Sequence, residues 1–150
     1  MDSDIENGVL KLRHVFVYGT LMGNGMRRIL GDELFESYCM GNDWDYPSCD
    51  HTVYGAQLYQ SNRGWFPMLR LTGDVNDVVK GEVFTFYESG FDRVLAVLDR
   101  YEGVASGLYR RVSVEDKDYH PCLNLYEYNQ PFETLERYDA SKDKWRNHDG

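Results

Sequence analysis

Cysteine, basic residues and long apolar runs are all scarce in this 150-residue chain. Its three cysteines form no C-x-x-C pair, so we expect no disulfide framework and a reducing compartment, the cytoplasm. No window reaches the roughly 18 consecutive apolar residues of a membrane-spanning helix. Residues 1–7 carry three acids and no basic or apolar run. We therefore expect neither a membrane association nor a signal peptide.

The shortage of basic residues also narrows the partners. Only 16 lysines and arginines stand against 25 acids, which gives a formal charge of -9. A negative surface repels phosphate backbones and anionic headgroups. The composition therefore predicts no nucleic-acid partner.

What the chain has is apolar and aromatic residues, at 42% and 15%, with twelve tyrosines among them. That content is typical of a folded domain rich in strands. The length fits one domain over residues 1–150. We expect residues 1–10 to be frayed and residues 132–150 to form a terminal helix or arm.

The apolar periodicity predicts the elements. One face of a helix is indicated by apolar residues at i, i+3, i+4, i+7 and i+10: Phe91, Val94, Leu95, Leu98 and Tyr101. Ser89 is the predicted cap of this helix and Gly103 its end. A short helix is predicted at 26–30 and a polar loop at 41–51. Strands are predicted at 12–18, 52–60, 78–87, 108–115 and 120–128, and residues 34–40 are predicted as a strand or a strand-like crossover.

This mixture predicts an α+β fold, because most strands are adjacent in sequence rather than alternating with helices. The expected architecture is a small mixed, largely antiparallel β-barrel of about six strands. One main helix and one or two short helices accompany it.

The first strand ends in Tyr18-Gly19-Thr20-Leu21, and two further glycines follow. Glycine lets backbone N–H groups approach a ligand closely, so such a loop can hold a carboxylate or an oxyanion. It lacks the Lys-Ser/Thr ending of a phosphate-binding P-loop. An ordinary turn is the alternative interpretation.

Glu102 falls at the C-terminal end of the main predicted helix. The negative end of the helix dipole and burial among neighbouring apolar residues would both raise its pKa. A raised pKa suits general acid/base work near neutral pH. The alternative is a solvated charge paired with Arg110 or Arg111.

Three further patterns are weaker. Cys49-Asp50-His51, with Asp45 nearby, has the residue types of zinc ligands but lacks a second spaced pair. His120 and Cys122 could form a nucleophile pair, but strand alternation explains them equally. The third pattern is an aromatic run that suits either a pocket wall or a core ridge: Trp65-Phe66-Pro67.

Taken together, the sequence resembles the gamma-glutamylcyclotransferase superfamily, in the branch that includes gamma-glutamylamine cyclotransferases and avirulence-induced plant proteins. The resemblance covers roughly residues 12–130 and is carried by six segments in family order: 15–21 (VFVYGTL), 66–69 (FPML), 79–84 (VKGEVF), 98–104 (LDRYEGV), 109–114 (YRRVSV) and 125–128 (LYEY). The chain departs from the family pattern at 22–26, where the loop is one residue shorter.

The resemblance implies a small mixed barrel and a cyclotransferase that converts a small gamma-glutamyl amide into 5-oxoproline and a free amine, without metal or cofactor. Glu102 would be the general acid/base. The loop Tyr18, Gly19, Thr20 and Leu21 would bind the glutamyl part largely through its backbone, and Tyr109 would help to position it through its hydroxyl. Two alternatives stay open: a non-catalytic binding protein on the same fold, and related chemistry on a larger glutamyl conjugate.

Overall fold

The computed structural model describes residues 5–6, 9–19, 21–40, 47–61, 67–130 and 135–137. Its ten strands are β1 (Ile5–Glu6), β2 (Val9–Leu10), β3 (Leu12–Val17), β4 (Ser48–Tyr54), β5 (Ala56–Ser61), β6 (Pro67–Leu71), β7 (Val78–Tyr87), β8 (Tyr109–Val114), β9 (Leu123–Tyr128) and β10 (Leu135–Arg137). Its three helices are α1 (Gly25–Leu30), α2 (Asp32–Tyr38) and α3 (Glu88–Tyr101). The predicted α+β class, with one main helix and two short ones, is confirmed.

The strands form a five-stranded central sheet in the order β4-β7-β3-β9-β8 and a three-stranded sheet in the order β10-β5-β6. Strands β1 and β2 pair separately. Strand β3 runs parallel to β9, and the other pairings among the described strands are antiparallel. The sheet is therefore mixed and largely antiparallel, as predicted. The expected barrel is not strictly closed, because its strands divide between separate sheets.

Alternation along the central strands gives the sheet two apolar faces, since successive side chains point to opposite sides. On one face Val15, Phe84 and Phe86 pack with the helical residues Val94 and Leu98. The other face packs with residues of β5 and β6 in a second cluster: Phe16, Val79, Val83, Leu123, Leu125, Leu58 and Leu69. The helices thus cover one side of the sheet and the small sheet covers the other.

Strands β3 and β7 approach each other closely at Gly81. A Cβ at this position would overlap the carbonyl oxygen of Val17 and the ring of Phe16. Glycine has no Cβ, so it permits the approach. The end of β3, where the predicted ligand loop begins, is therefore held firmly against β7.

The strand predicted at 34–40 is wrong, because Asp32–Tyr38 forms α2. Phe35 is buried and makes an edge-on contact with Phe84 of β7. Tyr38, three residues later, covers Gly90 of α3 so closely that a Cβ there would meet its ring. Phe35 and Tyr38 reach the core together only with helical spacing, so tertiary packing decides the element.

Three other predictions differ from the structure. The strand predicted at 52–60 is divided at Gly55, whose φ of 80° breaks the ladder into β4 and β5. Strand β4 also begins at Ser48, inside the predicted loop, of which residues 41–46 lie outside the described residues. Ser89 does not cap α3, because the helix begins at Glu88 and Tyr87 occupies the cap position, so Ser89 lies within the first turn.

Of the predicted terminal arm, the structure describes Leu135–Arg137, which pairs with β5 as an edge strand. None of the helices in the described part of the chain combines the length and apolar character needed to cross a bilayer.

The two main sheets are joined by one buried carboxylate. Glu127 of β9 is 2% exposed and accepts a hydrogen bond from the Leu71 N–H of β6 at 2.7 Å. Its other oxygen receives Arg110 Nε at 2.7 Å, and Arg110 stands directly opposite it on β8. Buried carboxylates must be paired in this way because an unpaired charge is costly away from water.

We predict that Glu127→Ala lowers the free energy of unfolding by about 1–3 kcal/mol, since it leaves the Leu71 N–H without its acceptor, whereas the Arg110 side chain, which is 59% exposed, can be solvated by water. Glu127→Gln should cost less, because its amide oxygen can still accept from Leu71. Urea denaturation measures both, with the exposed Glu115→Ala as the control. Equal unfolding midpoints for Glu127→Ala and the control would contradict the assignment.

Candidate active site

The parallel pairing of β3 and β9 brings the ends of these strands to one edge of the central sheet. Strand β8 starts at the same edge, with Tyr109 opposite Tyr128. A cavity of about 320 Å³ opens there, a size that suits a small molecule. It is lined by Phe16, Val17, Tyr18, Gly19, Leu21, Tyr101, Glu102, Leu108, Tyr109 and Tyr126.

Five of the six residues predicted for the site line this one cavity: Tyr18, Gly19, Leu21, Glu102 and Tyr109. The sixth, Thr20, lies outside the described residues. The sequence places the strand-end loop and Glu102 more than 80 residues apart. The fold brings them to a shared wall.

The loop after β3 is fixed by hydrogen bonds at both ends. The Tyr18 hydroxyl donates to the Tyr126 carbonyl at 2.6 Å, and the Met22 N–H donates to the Gly19 carbonyl at 3.0 Å. The Gly23 N–H donates to the carboxylate of Glu82 at 2.7 Å. Glu82 stands opposite Val17 on β7, so the strand that pairs with β3 also anchors the loop that follows it. The sequence interpretation missed Glu82.

Glu102 lies at the C-cap of α3, where its N–H donates to the Leu98 carbonyl at 2.9 Å. The next residue, Gly103, has a φ of 69°, which turns the chain away from the helix. The Glu102 residue is half-buried, and burial raises its pKa from 4.5 to about 7. Removal of water disfavours the charged carboxylate. Burial is one of the two causes named from the sequence.

Glu102 does not form the alternative ion pair with Arg110 or Arg111. Arg110 binds Glu127, and Arg111 binds Asp99. Within the described residues, Glu102 has no ion pair. A carboxyl group without a cationic partner keeps the raised pKa that burial produces.

Tyrosines supply much of the remaining wall. Burial, and then the nearby Glu102 charge, raise the pKa of Tyr109, so its phenol keeps its proton at neutral pH. Burial likewise raises the pKa of Tyr126, whose hydroxyl donates to Asp99 at 2.7 Å. Sequence reasoning placed Tyr126 in a strand but not in the site. The alternation of Tyr126 and Tyr128 on the face that carries Tyr109 was the available signal.

Among the described residues, the weak zinc-ligand pattern does not form a cluster. Cys49 and Asp50 are exposed, and Asp45 lies outside the described residues. His51 instead joins Asp116 and Asp118, with ligand atoms within 4.8 Å of one another, as the group of metal-ligating type found among the described residues. Its Nε2 already forms a hydrogen bond with Asp116 Oδ2 at 2.7 Å. None of the three lines the cavity that holds Glu102.

The other weak patterns do not contribute described residues to this cavity either. His120 is exposed and Cys122 half-buried, and neither belongs to its lining. Trp65 and Phe66 lie outside the described residues, so the interpretation of this run as a pocket wall or a core ridge stays a prediction.

The fold and the site together define an α+β protein with a small-molecule-sized cavity, and one carboxyl group is present among its described lining residues. A sequence profile described as "Gamma-glutamyl cyclotransferase, AIG2-like" matches residues 15–147. The chain belongs to this family, as its motifs predicted. No curated protein matches the sequence.

Solved structures share the fold at low identity. A protein from Arabidopsis thaliana is 16% identical with a TM-score of 0.55, over 92% of this chain and 74% of that one. A gamma-glutamyl cyclotransferase is 16% identical with a TM-score of 0.51, over 84% and 69%. An AIG2-like protein from Mus musculus is 20% identical with a TM-score of 0.50, over 89% and 91%. At these identities the likeness concerns the fold alone.

The raised pKa of Glu102 predicts a pH-dependent stability. Between pH 4.5 and about 7 the folded protein binds more protons at Glu102 than the unfolded chain does, so stability falls as the pH rises through this window. Glu102→Gln removes the titration. We expect this variant to exceed the wild type at pH 8 by at most about 3 kcal/mol and to match it near pH 4.

Urea denaturation at several pH values measures the difference, and Glu115→Gln, at an exposed position, is the control. A wild type that stays as stable as Glu102→Gln at pH 8 would show that the folded state imposes no penalty on the Glu102 charge.

Proposed function

We propose that the protein is a cyclotransferase that converts a gamma-glutamyl amide, of an amine or an amino acid, into 5-oxoproline and a free amine, with Glu102 as general acid/base. The observation that carries the proposal is the placement of Glu102. It is the one carboxyl group among the described lining residues of the cavity, it faces the same space as the strand-end loop, and its pKa is about 7. A group that titrates near the working pH can both accept and return a proton.

The reaction joins two ends of one molecule. Ionised Glu102 takes a proton from the substrate's α-ammonium, and the freed amine attacks the γ-carbonyl carbon to form the ring C–N bond. The carbonyl electrons move to oxygen and then return as the original amide C–N bond breaks. Glu102 delivers its proton to the departing nitrogen, and the second proton of the ring nitrogen passes to the released amine. The products are therefore 5-oxoproline and an ammonium ion, and the carboxylate is regenerated.

The remaining task is to hold the substrate in the folded, near-attack geometry, which supplies much of the rate in ring closures. We assign the glutamyl part to the backbone of Tyr18, Gly19, Thr20 and Leu21. Backbone N–H groups at such a strand end can bind a carboxylate or stabilise an oxyanion. Tyr109, which lines the same cavity and whose phenol keeps its proton, has the hydroxyl to orient the substrate.

The apolar lining fits the same chemistry. Val17, Leu21 and Leu108 are among the cavity walls, so part of the lining is apolar and suits the aliphatic part of a glutamyl substrate. Family membership supports a cyclotransferase over other uses of the fold. The free cysteines Cys39, Cys49 and Cys122 suit the cytoplasmic location that we include in the proposal.

The test is 5-oxoproline formation, followed by mass spectrometry, from gamma-glutamyl amines, gamma-glutamyl amino acids and glutathione. We expect at least one substrate to turn over, and Glu102→Gln to lose about 100- to 10,000-fold in rate because its amide cannot accept the proton. Glu115→Gln is the charge-matched control and should retain full activity. Turnover that survives intact in Glu102→Gln would refute the assignment of the base, and saturable thermal shifts without turnover would favour the binding-protein alternative.

The pH profile provides a second test. If Glu102 must be ionised in the free enzyme, kcat/KM should rise with pH and level off above a midpoint of about 7, tenfold per pH unit on the acidic limb. A midpoint at the ordinary carboxyl value near 4.5 would mean that the base is a solvated acid elsewhere. Initial rates from pH 4.5 to 9 measure it, with protein integrity checked at each end.

A further inference from the structure

The helix that carries Glu102 is attached to strands β8 and β9 through Asp99. Asp99 Oδ1 accepts a hydrogen bond from the Tyr126 hydroxyl at 2.7 Å. The Arg111 guanidinium also binds the carboxylate, with Nε at 3.1 Å from Oδ1 and Nη2 at 3.3 Å from Oδ2. Tyr126 and Arg111 are direct partners across strands β9 and β8. The Asp99 carboxylate of α3 therefore binds two residues, Tyr126 and Arg111, that face each other across β9 and β8.

The same residue closes the turn that presents Glu102. The Asp99 carbonyl accepts the Val104 N–H at 3.0 Å, and Glu102 lies within the segment that this bond encloses. Asp99 is also three residues before Glu102, close to it on the helix surface. Asp99 thus closes the turn through its backbone carbonyl and attaches that turn to the sheet through its side chain.

The hydrogen bond between Tyr126 and Asp99 is shielded from water, so it can hold the end of α3 in a fixed position relative to the sheet. Tyr126 is 2% exposed and its ring lines the cavity, while its hydroxyl is committed to Asp99. The Arg111–Asp99 ion pair alone, with side chains 36% and 26% exposed, would contribute little because water screens it. The buried phenol hydroxyl supplies the protected part of the attachment.

We propose that Asp99, which binds Tyr126 and Arg111, is a positioning residue that determines where the Glu102 carboxyl group lies relative to the strand-end loop of residues 18–21. The proposal rests on the proposed function, since it assigns Asp99 and Tyr126 to the placement of the acid/base of that reaction. It assigns neither of them a proton transfer of its own.

The first test does not require activity. The Glu102 carboxyl is titrated by ¹³C NMR in the wild type, in Tyr126→Phe and in Tyr38→Phe. Tyr126→Phe keeps the ring but frees the turn, so water should reach the carboxyl and its pKa should fall below about 6. Tyr38→Phe is the matched control, because the Tyr38 hydroxyl accepts a bond from Arg93 of the same helix, away from the cavity. It should titrate like the wild type.

The second test separates rate from binding. We expect kcat to fall about 10- to 100-fold in Tyr126→Phe, since a misplacement of a catalytic group by about 1 Å can cost about 100-fold, while KM changes less than about 2-fold. The carbonyl of residue 126, which holds Tyr18, is unaffected by this substitution. In an Asp99→Ala background the same change should alter kcat by less than about 2-fold, because the contact is already gone.

An unchanged Glu102 titration in folded Tyr126→Phe would overturn the proposal, as would a loss confined to KM or full additivity with Asp99→Ala. A wild type that forms no 5-oxoproline from any of the gamma-glutamyl substrates would instead refute the proposed function. The titration would still decide whether Asp99 positions the carboxyl group.

Discussion

The parallel pairing of β3 with β9 is the constraint on which the site depends. It brings the ends of two strands from opposite halves of the chain to one sheet edge, so the turn at Gly19 begins beside Tyr126. Because β8 is antiparallel to β9, Tyr109 at its start returns to the same edge. Helix α3 ends shortly before β8 begins, so Glu102, which follows the helix, lies at that edge as well. On the other side of β3, its close approach to β7 at Gly81 positions the strand end where the loop begins.

The hairpin of β8 and β9 uses both of its faces to connect layers. Arg110 and Glu127 are opposite each other and point toward the small sheet, where Glu127 accepts the Leu71 N–H. One position along, Arg111 and Tyr126 form the next pair and point toward α3, where both bind Asp99. The two-residue period of a strand thus gives one polar pair to each side. A single hairpin consequently sets the second sheet and the helix end relative to the cavity.

The placement of Glu102 opposes stability. Burial holds its pKa near 7, so at and above neutral pH the fold carries a carboxylate that would be more stable in water. Such local costs are common where a site is arranged for chemistry rather than for folding. The surrounding hydrogen bonds, from the Leu98 carbonyl to the Asp99 attachment, keep the turn in place in spite of that cost.

Apolar periodicity is local, and it was therefore enough to predict the long helix α3 and the central strands β3, β7, β8 and β9. The role of Glu102 came from the resemblance to the family, because its position at a helix end suited a solvated charge equally well. The sequence by itself did not determine α2, predicted as a strand at 34–40, because the packing of Phe35 and Tyr38 overrides local preference. The strand-end loop and Glu102 were named from separate motifs. Only the tertiary structure placed them on one cavity and revealed Tyr126 and Asp99, because strand order, parallel pairing and the loss of water around a carboxyl arise from contacts between residues distant in the chain.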